Sequence, residues 1–506
     1  MKISTNRLRI RWYGRWEALL EQSLPERWAK LLGRWLSQQR WFLGKVDRPP
    51  AVRLTVAWPI VVAGQTVWWC IFETASMGLT RQYQLPMVLL KERISGQVIA
   101  TVAGAEDGVV VDAWTWPPFA EWVLRVMAGT EHTDHLTAWQ KDTLRTDLPA
   151  KPLLKEQSNT TVTLGETYFL KAIRSLVPGI QPEEEMGREL TARSFPNTIP
   201  LLGGLSRSTV LEPTSLAVLS KFVHSLGSGW EWFLSSITMY EMEEPCHTPL
   251  VLQRGVLPNQ ERILSNSDIL LENAHLLGQR TAELHRCLAQ PSDDPAFAPE
   301  PFGQSDYDAL CTRILERYDI LWSLTKHHNG LSLRELFNRE DILLTITKQP
   351  FIPMTLQRHR IHGDYHLGQV LRTENDWLII DFEGEPLRPL NERRAKDLCL
   401  RDVAGMIRSF AYLAGVTKTA LPNELAKAFR KGYLKAEPLL NNASTQQLLL
   451  LYELEKVLYE IEYELGSRPE WVHIPLSGVV QLLKAASHLH PLIPIPSPSR
   501  GERRRY

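Results

Sequence analysis

The residues Ile361-His362-Gly363-Asp364-Tyr365-His366-Leu367-Gly368-Gln369-Val370-Leu371 run into a polar turn, Thr373-Glu374-Asn375-Asp376, and then into Trp377-Leu378-Ile379-Ile380-Asp381-Phe382-Glu383. Two apolar runs around a polar turn predict a β-hairpin. With the turn centred on Asn375, Gln369 falls opposite Asp381, because facing residues in an antiparallel pair are equidistant from the turn. Asp364 lies five residues before Gln369, on the loop entering the hairpin. One carboxylate that orients and deprotonates a hydroxyl, with an amide and a second carboxylate that hold magnesium against nucleotide phosphates, is the set that phosphoryl transfer requires. Asp364 is therefore the expected base, and Gln369 and Asp381 the expected metal ligands. His366 and Glu383, next to them in sequence, are assigned to the acceptor. A competing chemistry is zinc-dependent hydrolysis through His362, Asp364 and His366.

The compound pattern H-G-D-x-x-x-x-Q followed by D-F-E parallels the H-R-D-x-x-x-x-N and D-F-G segments of protein kinases, with Gly for Arg, Gln for Asn and Glu for Gly. Such a site also requires an upstream lysine on a strand and an acid on the following helix. Ser158–Leu164 and Thr167–Ile173 alternate like strands around Gly165-Glu166, which places Lys171 on the second strand. Pro182-Glu183-Glu184-Glu185-Met186-Gly187-Arg188-Glu189 then opens a helix, Pro and acids suiting its first turn, and Glu185 or Glu189 could pair with Lys171. No G-x-G-x-x-G or G-x-x-x-x-G-K-[ST] occurs. Phosphate contacts therefore fall to Ser158, Asn159 and Thr160 through short polar side chains and backbone N–H groups. Leu216–Val223 reads as a strand entering a Gly/Ser bend, where backbone groups of Lys221 and Val223 would meet an adenine.

The elements that must position these residues follow from composition and periodicity. The chain has 506 residues, 44% hydrophobic and 23% charged, a globular balance. Lys plus Arg and Asp plus Glu number 57 each, so no global field exists to hold nucleic acid. Five dispersed cysteines without a CxxC pair, and an N-terminus without a signal-peptide core, suit a reducing cytoplasm. The uncharged stretch Thr55–Phe72 is divided by Pro59 and Gly64-Gln65-Thr66 and reads as a hairpin rather than a membrane span. The expected class is α+β. Residues 1–105 form a helix-plus-sheet cap with a helix over Trp16–Trp41, and 106–224 a β-rich lobe. Residues 225–490 form a mainly helical lobe, and the Pro-, Ser- and Arg-rich 491–506 a flexible tail. On the helix around Glu455–Tyr463, Lys456, Tyr459 and Tyr463 share one polar face. His285 reads as a packed core histidine, and Asp402 and Arg408 as a brace for the catalytic loop.

Gln157 to Glu185, His362 to Phe410 and Tyr452 to Leu476 resemble bacterial maltokinases, and Gln39-Arg40-Trp41-Phe42-Leu43-Gly44-Lys45 is similar to the cap that precedes their kinase lobes. The resemblance implies a bilobal, aminoglycoside-phosphotransferase-like and protein-kinase-like fold. It also implies ATP- and Mg2+-dependent conversion of maltose to maltose 1-phosphate for α-glucan synthesis. Within it, Glu185 is the partner of Lys171, and Lys456, Tyr459 and Tyr463 line the acceptor pocket. Some such enzymes act with trehalose synthase. A kinase for another sugar, such as glucosamine, is the near alternative, and a catalytically silent module of kinase shape the more distant one.

Overall fold

The computed structural model describes residues 8–20, 24–42, 49–76, 79–92, 96–153, 159–208, 212–242, 265–325, 337–347, 355–385 and 388–489. The chain divides into two compact units, Met1–His224 and Ser225–Tyr506. Ser158 and the tail, residues 491–506, lie outside the described residues.

The N-terminal unit contains two sheets. The first joins β1 (Arg9–Trp12), β2 (Ala51–Val62), β3 (Gln65–Ser76), β4 (Leu79–Leu90), β5 (Val98–Gly104) and β6 (Gly108–Asp112) in the order β1-β5-β6-β4-β3-β2. Thr55–Phe72 is the β2–β3 hairpin, turned at Ala63-Gly64, both with positive φ. The sheet runs past residue 105 as far as Asp112, since β6 pairs with β4 and β5. Helix is shorter than the periodicity predicts: Trp16–Ala18 is a single 3-10 turn, and α1 spans only Glu26–Leu36, beginning after Pro25. One face of the sheet packs on α1 through Trp28, Trp35, Phe72, Tyr83 and Leu85. The other shares a core with α2 (Pro117–Met127) and the second sheet, through Trp69, Trp114, Phe119, Leu164, Leu170 and Leu219. Burial on both faces explains why β2 and β3 read as nearly continuous apolar runs.

The second sheet is β7 (Leu136–Gln140), β8 (Ala150–Leu153), β9 (Thr160–Leu164), β10 (Tyr168–Ala172), β12 (Leu201–Arg207) and β13 (Thr214–Lys221), in the order β7-β12-β13-β10-β9-β8. A two-residue strand, β11 (Ser175–Leu176), leaves it to pair with β4. At this crossing Arg174 is fully buried with Asp112, the two side chains forming an ion pair. Thr160 Oγ1 takes two further guanidinium N–H bonds at 2.9 and 2.7 Å, and the Arg174 guanidinium lies 5.0 Å over the Trp41 ring. Helix α3 (Pro182–Ala192) is anchored by buried Glu184, whose oxygens accept from Trp139 and Ser215 at 2.6 Å each.

The C-terminal unit is built on helices α4 (Gly229–Met242), α5 (Asn266–Leu288), α6 (Gln304–Thr325), α7 (Arg339–Thr347), α8 (Leu390–Arg393), α9 (Leu400–Thr417), α10 (Leu421–Ala436), α11 (Ala443–Ser467) and α12 (His473–Leu489). Two short hairpins, β14 (Glu300–Pro301) with β15 (Gln357–Arg358) and β16 (Val370–Arg372) with β17 (Trp377–Ile379), interrupt them. Helices α5 and α10 touch backbone to backbone: a Cβ on Gly432 would lie 1.9 Å from the His275 carbonyl oxygen, and one on Gly278 2.0 Å from that of Phe429. Glycine is required at both contacts.

Candidate active site

The loop carrying Asp364 is held from beneath by one carboxylate. Asp402 on α9 accepts the His362 N–H at 2.7 Å and the Gly363 N–H at 2.9 Å, and its Oδ2 lies 3.1 Å from His285 Nε2. His285 Nδ1 is 2.9 Å from the Tyr433 hydroxyl, so this histidine is a packed connector, as its helical setting predicts. Gly363 has φ +82, a left-handed conformation that side chains disfavour, which accounts for glycine between His362 and Asp364. Further along, the Leu367 N–H donates to Ser409 Oγ at 3.0 Å and the Tyr365 hydroxyl meets Thr281 Oγ1 at 2.9 Å. Asp364 is thus presented on a fixed backbone, its side chain 19% exposed.

The hairpin register differs by one from the expected register. Val370 pairs with Ile379, Leu371 with Leu378 and Arg372 with Trp377, so Gln369 faces Ile380 rather than Asp381. The cause is local: Thr373 N–H and Oγ1 both donate to the Asp376 carbonyl, and Thr373 Oγ1 accepts the Asp376 N–H, closing the loop around Glu374-Asn375. The Ile380 N–H donates to the Gln369 carbonyl at 3.0 Å, and Asp381 follows with φ 67, leaving the ladder. Gln369 and Asp381 therefore remain neighbours and offer hard oxygen donors of the kind magnesium takes. The zinc arrangement is not formed. His362 Nδ1 accepts the Asp364 N–H at 3.4 Å while its Nε2 donates to the Ile380 carbonyl at 2.9 Å. Among the described residues no group of three His, Cys, Asp or Glu side chains is placed to hold a metal ion.

A set of charges that sequence patterns do not disclose surrounds the base. Lys456 Nζ lies 3.2 Å from Asp364 Oδ1 and 2.7 Å from Glu385 Oε1. Glu385, 2% exposed, also pairs with Arg388 and, at 3.3 Å, with Arg401. Arg388 continues to Glu455 at 3.2 Å, Glu455 to Arg313 at 2.8 Å, and Arg313 and Arg401 to Asp397 at 3.5 and 3.4 Å. Four cations and four carboxylates thus alternate, which is how a low-dielectric interior accommodates charge. Burial would raise the Glu385 carboxyl, but Lys456, Arg401 and Arg388 hold it well below the usual carboxylate range. Glu455, similarly opposed by burial, is brought down to about 2 by Arg313 and Arg401. Burial works against the charge of Lys456, and Glu385 and Asp364 outweigh it, keeping the ammonium protonated far above its ordinary range.

The polar face of α11 is not the free strip that its spacing predicts. Lys456 is 17% exposed and tied to two carboxylates. Tyr459 is buried between Lys456 Nζ, 4.9 Å from its ring, and the Arg317 guanidinium, 5.1 Å away. Tyr463 is the most exposed of the three at 38%, its ring 6.5 Å from that of Tyr459 at 21° and 5.7 Å from the Arg468 guanidinium. His366 accepts the Gly368 N–H on Nδ1 at 3.0 Å, leaving Nε2 4.0 Å from Asp364 Oδ2. Burial lowers its pKa below the ordinary histidine value, with Asp364 only partly opposing. The Glu383 carbonyl accepts from Arg393 at 3.1 Å. Arg408 pairs with Glu460 on α11 at 2.8 Å, away from the loop residues that Asp402 braces.

In the N-terminal unit, Lys171 sits on β10 opposite Thr161 and Val218. Its Nζ lies 3.5 Å from Glu183 Oε1, an acid of the same helical turn as the expected Glu185. Two of the residues expected to contact phosphate also have partners within this unit. Asn159 Oδ1 accepts the Arg174 backbone N–H at 3.3 Å, and the Thr160 hydroxyl oxygen accepts from the Arg174 guanidinium, bonds that engage the two side-chain oxygens and not the backbone N–H groups that the sequence also offers to phosphate. At the end of β13, the Lys221 N–H donates to the Pro200 carbonyl at 3.1 Å and the Phe222 N–H to the Thr167 carbonyl at 2.8 Å. The Lys221 N–H is therefore committed within the sheet, and Val223 is the next residue but one along the chain.

Residues 35–115 match the family model of the maltokinase N-terminal cap domain. A glucosamine kinase of Streptacidiphilus jiangxiensis is 24% identical over 353 residues, 65% of this chain and 73% of that protein. One of Mycolicibacterium smegmatis is 25% identical over 402 residues, 75% and 89%. A solved glucosamine kinase in complex with glucosamine, ADP and inorganic phosphate shares 19% identity with a TM-score of 0.57, covering 90% of this chain and 99% of that one. Its crystal form B gives a TM-score of 0.60 over 86% and 94%. Among the described residues no helix is long and apolar enough to cross a membrane. Residues 35–115 thus resemble the maltokinase cap, and the chain shares the fold of the solved glucosamine kinases.

Proposed function

We propose that the protein transfers the γ-phosphoryl group of ATP to the anomeric hydroxyl of maltose, giving maltose 1-phosphate and ADP for α-glucan synthesis in the cytoplasm. The observation that carries this reading is Asp364, fixed on its loop by Asp402 and held by Lys456 at 3.2 Å, one hairpin end away from the Gln369 and Asp381 oxygens. Asp364 Oδ2, the oxygen not bonded to Lys456, accepts the hydroxyl proton as the sugar oxygen attacks phosphorus and the bond to ADP breaks. Gln369 and Asp381 would hold Mg2+, which neutralises charge on the transferring phosphates. Lys171, with Glu183 and Glu185 near it on α3, would bind nucleotide phosphates as a point charge, and Val223 would meet the adenine. His366 Nε2, Glu383 and Tyr463 would contact the acceptor, Tyr463 offering a ring face to sugar. A trehalose synthase that supplies maltose is the proposed partner.

Glucosamine is the second reading, since the matched relatives are glucosamine kinases. Lys456 does not decide between the two sugars, because Asp364 and Glu385 face it and offset its charge. The match of residues 35–115 to the maltokinase cap supports maltose. An ADP-release assay with Mg2+-ATP across maltose, glucose, glucosamine, trehalose and an aminoglycoside tests both. Maltose is expected to give the highest kcat/KM. Preferred turnover of glucosamine would transfer the reading to an amino sugar, and no turnover with any sugar would sink it.

A further inference from the structure

Helix α10 presents a cluster of positive charge around an open surface depression. A pocket of about 470 Å³ is lined by Lys427, Arg430, Lys431, Leu434, Lys435 and Asn441. None of these residues belongs to the network around Asp364. We propose that this pocket is a binding site for a small oligoanion, a molecule carrying two or more phosphate charges.

Lys427, Lys431 and Lys435 stand at i, i+4 and i+8, one ridge of the helix, with Arg430 beside them. Like charges at this spacing repel and weaken a helix. Lys435 gains from the helix dipole because it lies in the last turn, but Lys427, Arg430 and Lys431 lie too far from the C-terminus to gain. Lys427 pairs with Glu424 at 2.7 Å in a solvent-exposed contact, and Arg430 also feels the buried Glu453 on α11. Among the described residues no carboxylate lies within ion-pair distance of Arg430, Lys431 or Lys435. The surplus charge is felt next door: His275 on α5 is lowered below the ordinary histidine value by burial and then by Lys435 and Lys431.

The helix that carries the cations is held in place. The opposite face of α10 buries Leu425, Phe429 and Tyr433, and Gly432 lies against the His275 carbonyl, so the helix cannot roll to disperse them. Asn441 adds an amide donor and Leu434 an apolar wall. The volume lies within the range of about 300–1,000 Å³ usual for small-molecule pockets, and it suits a compact polyphosphate or a phosphorylated sugar rather than a folded partner. Several lysine point charges and one guanidinium match such an anion.

Calorimetric titration of the full chain with inorganic pyrophosphate, in EDTA and at low and physiological salt, tests the site. Wild type should bind, more weakly as salt rises, and Lys431→Glu/Lys435→Glu should weaken binding by at least about 10-fold while maltose-dependent ADP release is unchanged. Lys171→Met should bind pyrophosphate as wild type does, which separates this pocket from the nucleotide site. If the double variant fails to fold, Arg430→Gln, checked by thermal melting, replaces it and should show the same direction of loss. The proposal is overturned if charge reversal leaves affinity intact, if Lys171→Met abolishes binding, or if pyrophosphate does not bind and only long polyanions such as heparin do.

Discussion

Arg174 and Asp112 in the N-terminal unit, and Asp364, Lys456 and Glu385 in the C-terminal unit, are ion-pair systems of similar composition that differ in how far they are closed. The first pair has no exposed side-chain surface and its remaining donors are met by Thr160 and the Gln84 carbonyl. The second is graded, from 2% exposure at Glu385 through 17% at Lys456 to 19% at Asp364, and ends on the candidate base. Sealed charge ties sheet to sheet; graded charge ends on the partly exposed Asp364, the candidate base. Completeness of burial, rather than the presence of charge, separates the structural pair from the candidate catalytic one.

Breaking the sealed pair should give the largest effect. Arg174→Met leaves Asp112 buried without a cation, which costs about 3–5 kcal/mol. For a unit of 224 residues, at roughly 2–4 °C per kcal/mol, the melting midpoint should fall by on the order of 10 °C. Replacing both partners, Arg174→Met with Asp112→Leu, should recover most of that loss. A single variant that melts like wild type would show the pair to be dispensable.

Cutting the open end should do the reverse. Asp364→Asn keeps the amide in place of the carboxylate and leaves Glu385 to hold Lys456, so the melting midpoint should stay put while turnover falls by about 100-fold or more. Near-normal turnover removes Asp364 from the chemistry. A large drop in melting temperature would place it with Arg174 as a structural charge.

The same contrast governs what the sequence discloses. Asp364, Gln369 and Asp381 are legible because they lie on one local hairpin, and their proximity survives the one-residue difference between a turn centred on Asn375 and the observed turn between Glu374 and Asn375. Lys171 is legible through strand alternation. The charges that frame the base are not: Arg388 meets Glu455 across 67 residues and Arg313 meets it across 142, and such pairs leave no periodic trace. The bonds of Asn159 and Thr160 to Arg174 are hidden for the same reason, since Arg174 is identifiable as buried only once both sheets are assembled.

A smaller effect is expected at the rim. Tyr463, the exposed tyrosine on α11, should contribute one stacking contact to the acceptor, so Tyr463→Ala should raise the sugar KM by roughly 10-fold with the KM for ATP unchanged. Equal rises in both constants would place the tyrosine in the scaffold instead.

The smallest effect concerns a carboxylate for which cations run short. Glu453 on α11 is pushed up to about 7, first by burial and also by Glu460, with Arg408 and Arg430 only partly opposing. Arg408 is already committed to Glu460 at 2.8 Å. Between its unfolded value near 4.5 and its folded value near 7, the native state holds the proton that the unfolded state has lost, so this group makes stability fall as pH rises through that window. A folded pKa that is raised rather than depressed therefore gives the opposite slope to Glu455, whose contribution is present above its unfolded value and fades as pH drops toward 2. Glu453→Gln keeps the neutral shape and removes the titration. The variant should match wild type at pH 5 and exceed it at pH 8 by roughly 1 kcal/mol or slightly more, because each tenfold change in proton affinity is worth about 1.4 kcal/mol before solvent screening reduces it. Thermal melts of both proteins at the two pH values measure this. A constant offset at both pH values would mean that the glutamate carboxyl is not what titrates, and a loss at pH 8 would mean that Arg408 and Arg430 hold it ionised after all.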